Sequence, residues 1–303
     1  MKYLRIVFVF LSLVLASCNA EQADDSGSFD STPTRPVVVA SNYPLYYFAS
    51  RIAGDSVEVI LPEIKGDPAN WKPESHAIEQ LQSADLVFLV GAGYESWLEW
   101  VSLPDEKLMD TSASFRDRLI PLEQEGVHQH GPQGEHSHTG FAFTVWLDPG
   151  LAIEQAKAIA QALSKLSPGD SAAYETRLAS LEGELLSLDK NLRQVFEGIG
   201  DQPVLFSHPV YQYLETRYSL NGLSVHWEPD EEPGKSAMIE FHRNLRGHPA
   251  KLMIWEDQPL QTTADQLEGS GVASIVFHTA SSRPQSGDYF SLMEANIQRL
   301  SSR

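Results

Sequence analysis

At 303 residues, with 42% hydrophobic and 21% charged side chains, the chain is too long for one small core and too apolar to stay disordered. Its formal charge of −19 argues against a nucleic-acid binder, whose phosphate contacts need a basic surface. A single cysteine, Cys18, excludes an internal disulfide framework and a thiolate cluster for a metal.

Chain order begins with Lys2 and Arg5, then an apolar run over residues 6–15 that is too short to span a bilayer. Small residues follow at Ala16 and Ser17, which is the layout of a secretory signal. Leu15-Ala16-Ser17-Cys18 resembles the lipobox of bacterial lipoproteins, which implies removal of residues 1–17 and acylation of Cys18. That loss removes Lys2 and Arg5 and no acid, taking the charge from −19 to −21. Residues 18–36, rich in Asp, Ser, Gln, Thr and Pro, form a flexible tether between lipid and folded body.

Continuous apolar runs of strand length occur at 37–41, 57–61 and 86–90, and again at 204–206, 252–255 and 274–277. Such runs, separated by helical stretches, predict mainly parallel sheets covered on both faces, in two α/β lobes over 37–167 and 200–303. Between them the spacing predicts one long helix over 168–199. Ser167-Pro168 supplies the start, apolar residues recur at Tyr174, Leu178, Leu181, Leu185, Leu188, Leu192 and Val195, and Gly198 and Gly200 close it. A rigid strut joining two lobes is expected.

The densest chemical signal is a Gly-rich loop over 125–140 that carries His128, His130, His136 and His138. Imidazole is a good zinc ligand at neutral pH, and an auxiliary collecting site for metal is one reading; a solvated polar loop is the other. Gly91-Ala92-Gly93 lacks the third glycine of a dinucleotide fingerprint, and no His-Glu-x-x-His, Gly-x-Ser-x-Gly or P-loop is present. Nothing in these patterns points to an enzyme.

Ordered segments carry a family resemblance. Ser41-Asn42-Tyr43-Pro44-Leu45, Gly66-Asp67-Pro68 leading to Trp71, Ala84-Asp85-Leu86 leading to Gly91-Ala92-Gly93-Tyr94-Glu95, Trp146-Leu147-Asp148-Pro149, Phe206-Ser207-His208, Trp255-Glu256 and Gly287-Asp288-Tyr289-Phe290 follow one another in the order of a known family. Together they resemble the zinc and manganese solute-binding lipoproteins of bacterial metal ABC transporters. The resemblance implies two α/β lobes joined by a long helix, with the metal in the cleft between them. It implies zinc rather than manganese as the ion, an ABC permease and its ATPase as partners, a monomer anchored by its N-terminal lipid, and a place in the periplasm or on the cell exterior.

The ligand set departs from the family. Ala69 and Thr144 stand where the resemblance expects first-lobe histidines. His208 matches the third ligand, and His278 stands where an Asp is expected. Glu256 matches an acid that orients a histidine. Two imidazoles leave a four-coordinate zinc two donors short. Three readings stay open: His76 or a loop histidine swings into the cleft, the metal arrives with a small chelator or water, or the scaffold serves a non-metal solute. A surface adhesion or metal-sequestering lipoprotein is the functional alternative to an importer component.

Overall fold

The computed structural model describes residues 35–64, 66, 68–122, 128–129, 135–136 and 140–302. The first lobe opens with β1 (Val37–Ala40), whose end leads into α1 (Tyr43–Ala53). Asn42 caps that helix: its side-chain oxygen accepts from the Leu45 N–H at 3.0 Å, and Pro44 sits in the first turn, where its missing donor is harmless. β2 (Glu58–Ile60), a 3₁₀ turn over Pro68–Asn70, α2 (Ser75–Ser83), β3 (Leu86–Leu89) and β4 (Leu108–Asp110) complete the sheet, in the parallel order β2-β1-β3-β4. Two short strands, β5 (His128–Gln129) and β6 (Glu135–His136), then pair antiparallel, with the backbone of His128 opposite that of His136.

Asp148 caps α3 (Pro149–Leu166), accepting from the Gly150 and Leu151 N–H groups at 2.7 and 3.3 Å. α4 (Ser171–Glu197) follows a 3₁₀ turn over Pro168–Asp170. Its 27 residues make a rod of about 40 Å. Tyr174, Leu181, Leu185, Leu188 and Leu192 bury one stripe of it. The second lobe comprises β7 (Pro203–Phe206), α5 (Gln212–Tyr218), β8 (Asn221–Ser224), α6 (Lys235–Gly247), β9 (Leu252–Trp255), α7 (Gln261–Gly269), β10 (Ala273–Val276) and α8 (Tyr289–Ser301). Its sheet is also parallel, in the order β10-β9-β7-β8. Among the described residues no helix is long and apolar enough to cross a membrane.

The period of two along each central strand distributes the core. Val38 and Phe206 point into one cluster that also holds the buried stripe of α4, whereas Val39 and Leu205 point to separate clusters on the far faces of the two sheets. The two lobes therefore share their central core, and the described residues from Arg35 onward form one compact unit. Hydrogen bonds reinforce this union. The Trp146 indole N–H donates to the Thr279 carbonyl at 2.7 Å, Tyr289 donates to the Trp146 carbonyl at 3.1 Å, and Tyr213 donates to the Ala142 carbonyl at 2.9 Å.

In the first lobe the crevice beyond β1 and β3, where strand order reverses, is filled from within. Glu95 is only 8% exposed. Its Oε1 accepts from the Ser41 hydroxyl at 2.6 Å and the Val90 N–H at 2.7 Å, and its Oε2 accepts from the Gly91 N–H at 3.2 Å. Burial outweighs these donors and raises the carboxyl from its ordinary 4.5 to about 7. The fold thus binds this proton more tightly than the unfolded chain does. The resulting stabilisation is complete below pH 4.5 and is lost as pH rises through about 7, a change on the order of 3 kcal/mol for this group. Glu215, half-buried on α5 and also raised to about 7 by partial desolvation, acts in the same direction. Urea midpoints should therefore fall between pH 5 and pH 8, and Glu95→Gln should flatten that fall without abolishing it.

Candidate metal centre on the second lobe

Strand order reverses again between β7 and β9, and ligands of open α/β sheets bind beyond the carboxyl ends of strands at such a point. The ladder continues one residue past β7, since the Ser207 N–H donates to the Ile254 carbonyl at 2.9 Å. His208 comes next, and Glu256 is the first residue past β9. Beyond β8 the chain stays extended: Val225 N–H donates to the Phe206 carbonyl and Trp227 N–H to the Ser207 carbonyl, both at 2.8 Å. Alternation then sends Val225 and Trp227 into the far-face core and leaves His226 and Glu228 half-buried on the other side.

These strand ends converge on one point. His208 Nδ1 lies 3.1 Å from Glu256 Oε1 and 3.8 Å from Glu228 Oε1. One ligand atom from each of His208, Glu228 and Glu256 falls within 4.8 Å of the others. The His226 ring stands 5.9 Å from that of His208, tilted by 71°. The three converged side chains are 23%, 36% and 26% exposed, so the cluster is partly dehydrated yet open to an ion from solvent. Burial pushes the Glu228 carboxyl above its ordinary range; the His208 ring opposes that, and the Glu256 carboxylate adds to it.

Tetrahedral zinc with bonds of about 2.0–2.1 Å sets its donors roughly 3.3 Å apart. The two spacings at His208 Nδ1, 3.1 and 3.8 Å, bracket that value, so a zinc ion fits among these donor atoms with small side-chain shifts. Two carboxylates and an imidazole suit a divalent cation in chemistry as well as spacing.

The other sequence-predicted residues lie elsewhere. His278 Nδ1 sits 2.9 Å from the Glu256 backbone carbonyl, and the Asn296 amide brackets the His278 backbone on both sides. Its ring lines a separate pocket of about 320 Å³ with Asp257, Gln258, Arg299 and Ser302, outside the converged group. His76 is exposed on α2. Ala69 lies in the 3₁₀ turn before it. Thr144 is 4% exposed, and its hydroxyl donates to the Val210 carbonyl at 2.6 Å. The backbones of His128 and His136 pair opposite each other in β5 and β6, while His130, His138 and Cys18 lie outside the described residues. Glu228 is absent from the sequence expectations; a His-x-Glu pair in extended chain next to His208 is the signal that points to it.

Residues 38–303 match the family described as zinc-uptake complex component A, periplasmic. The zinc-binding lipoprotein AdcA of Streptococcus pneumoniae is 27% identical over 314 residues, covering 99% of this chain and 60% of that protein. This chain thus spans about 60% of the length of that relative. The high-affinity zinc uptake system protein ZnuA of Bacillus subtilis is 25% identical over 303 residues, covering 95% of this chain and 93% of the relative. In fold, the chain is similar to the metal-dependent lipoprotein YcdH of Bacillus subtilis, with a TM-score of 0.74 and 22% identity over 88% of this chain and 98% of the other. It is equally similar to the Zn(II)-bound ZnuA-like domain of Streptococcus pneumoniae AdcA, with a TM-score of 0.73, 22% identity and the same coverage. With its two parallel α/β lobes and the match over nearly all of the folded chain, the protein belongs to the zinc-uptake component A family, whose members are solute-binding proteins and not enzymes.

Proposed function

We propose that this chain is the extracytoplasmic solute-binding component of a zinc importer, capturing the ion on the second lobe and delivering it to an ABC permease and its ATPase. The observation that carries the reading is the convergence of His208, Glu228 and Glu256 beyond β7, β8 and β9. Family membership supplies the transport role, and relatives named for zinc binding and zinc uptake support zinc as the solute. The leader and Cys18 support export and a lipid anchor, and the chain acts as a monomer on its tether.

Zinc here is cargo, held without chemistry. α4 packs its apolar stripe into a core common to both lobes, so a wide hinge motion would expose buried surface; small local shifts suit the fold better. The histidines of the 125–140 loop act as an auxiliary collecting site, since several imidazoles close together in sequence suit zinc.

The test is calorimetric titration of the mature chain with zinc, together with a version lacking residues 128–138. Deletion should lower the number of ions bound and leave the tightest constant within about threefold. Loss of all zinc binding on deletion would make the loop the sole site and refute the second-lobe assignment. Restored growth in zinc-poor medium, in cells lacking their own zinc-binding component, tests delivery to the transporter.

A further inference from the structure

We infer that His278, clamped by Asn296, is a positioning residue for the ion site: it fixes the bend from which Glu256 reaches His208, and so sets affinity through Glu256. The inference rests on the second-lobe reading above and goes further by giving a role to residues beyond the converged trio.

Glu256 sits where the sheet stops fixing the chain. Trp255, the last residue of β9, is held twice: its side chain packs in the far-face core, and its carbonyl accepts from the Phe277 N–H at 2.7 Å. One residue on, the chain bends at Glu256 and Asp257. At a bend the direction of a side chain depends on what holds the peptide groups beside it. That direction matters for Glu256, whose Oε1 lies 3.1 Å from His208 Nδ1.

His278 supplies the hold. Its Nδ1 lies 2.9 Å from the Glu256 carbonyl oxygen. That oxygen can only accept, so the contact places a ring proton on Nδ1. Nδ1 therefore serves the backbone of Glu256 and is not offered to a metal. The ring itself lines the pocket it shares with Asp257, Gln258 and Arg299.

A ring can hold Glu256 only if its own backbone is fixed, and one amide does that. The His278 N–H donates to Asn296 Oδ1 at 3.0 Å, and Asn296 Nδ2 donates to the His278 carbonyl at 2.9 Å. Asn296 is fully buried on α8, so breaking either bond strands a buried polar group. Arg299, one turn along the same helix, donates to the same Oδ1 at 3.0 Å. Two donors at one oxygen fix which way the amide points, since a flipped amide would set its own N–H groups against both. The brace thus runs from α8 through His278 to the bend at Glu256, and from there to His208.

Zinc affinity of the full mature chain, read by competition with a chromophoric chelator, tests the inference. His278→Ala should weaken zinc at the tightest site by about tenfold, the low end of the range seen when a partner that orients a ligand is removed. His278→Phe keeps the bulk of a ring and removes both nitrogens; it should lose as much, which separates the lost bond from a packing defect. His278→Asn carries an amide N–H near the place of Nδ1 and nothing at the place of Nε2, and should bind within about threefold of the parent. Glu256→Ala should weaken zinc on its own, and adding His278→Ala should cost no more than about twofold further, because the brace then has no carboxylate to position.

Parent-like affinity in both His278→Ala and His278→Phe would overturn the inference. So would a loss in His278→Asn equal to that of alanine, which would make the other ring nitrogen a donor to the ion, and so would an undiminished loss on top of Glu256→Ala. If Glu256→Ala itself binds like the parent, the second-lobe reading fails; if it weakens zinc while the His278 variants do not, that reading stands and the brace alone is wrong.

Discussion

His208→Ala should weaken zinc binding at the tightest site by at least about 100-fold, more than any other single substitution in the protein. His208 is the imidazole of the converged trio, and both carboxylates are positioned around its Nδ1 at 3.1 and 3.8 Å. Alanine leaves Glu228 and Glu256 with no nitrogen between them, and an oxygen-only pair favours harder cations than zinc. The two acids then stand near one another with no ring to separate them, which disfavours both being ionised in the empty site. Thermal melts give an independent measure. A ligand at 1,000 times its dissociation constant stabilises by about 4.1 kcal/mol, and a 100-fold weaker site at the same zinc concentration retains about 1.4 kcal/mol. The zinc-induced rise in melting temperature should shrink to roughly a third in His208→Ala, while the metal-free melting temperature changes little. An undiminished rise would place the zinc elsewhere.

Much of the scaffold is legible in the sequence, and for a physical reason. Central strands of parallel sheets are buried on both faces and so must be apolar throughout, as Val37–Ala40, Leu86–Leu89 and Leu252–Trp255 are. β4 and β8 escape notice because their short runs carry polar residues such as Asp110, Asn221 and Ser224, which a sheet edge tolerates. The start of the long helix differs in detail: Ser167 closes α3, and Pro168 opens a 3₁₀ turn, so the α-helix begins only at Ser171.

The unseen β8 has a cost at the site. With no strand expected before Val225, nothing in the sequence places His226 and Glu228 beside the end of β7, and the parallel register that brings them there is a tertiary fact. His208 and Glu256 are legible because they follow apolar strands closely. His278 follows one too, and its Nδ1 lies 2.9 Å from the Glu256 backbone carbonyl, apart from the converged group. Position after a strand shows which residues reach the sheet's ligand-binding end; it does not fix the direction in which each side chain turns.

Trp146→Ala should cost about 3–5 kcal/mol of folding stability, the largest loss expected from one side chain between the lobes. The ring is 1% exposed, meets Tyr94 edge-on at 5.9 Å, and donates from its indole nitrogen to the Thr279 carbonyl, while its own carbonyl accepts from Tyr289. Alanine removes the ring and the donor together and leaves a cavity where the first lobe meets the chain after β10. Trp146→Phe separates these effects. It keeps an aromatic ring but leaves the Thr279 carbonyl without this donor, which should cost about 1–3 kcal/mol. Urea unfolding should stay a single transition in both variants if the shared core holds the lobes together; two transitions in Trp146→Ala would mean that this contact, more than α4, unites them. The same variants also test how capture works. If the converged donors on the second lobe hold the ion, Trp146→Phe should bind zinc within about threefold of the parent despite its lower stability, because loosening the lobes does not move His208, Glu228 or Glu256. A tenfold fall in affinity would show that the first lobe shapes the site after all, and that zinc is held across the junction Trp146 closes.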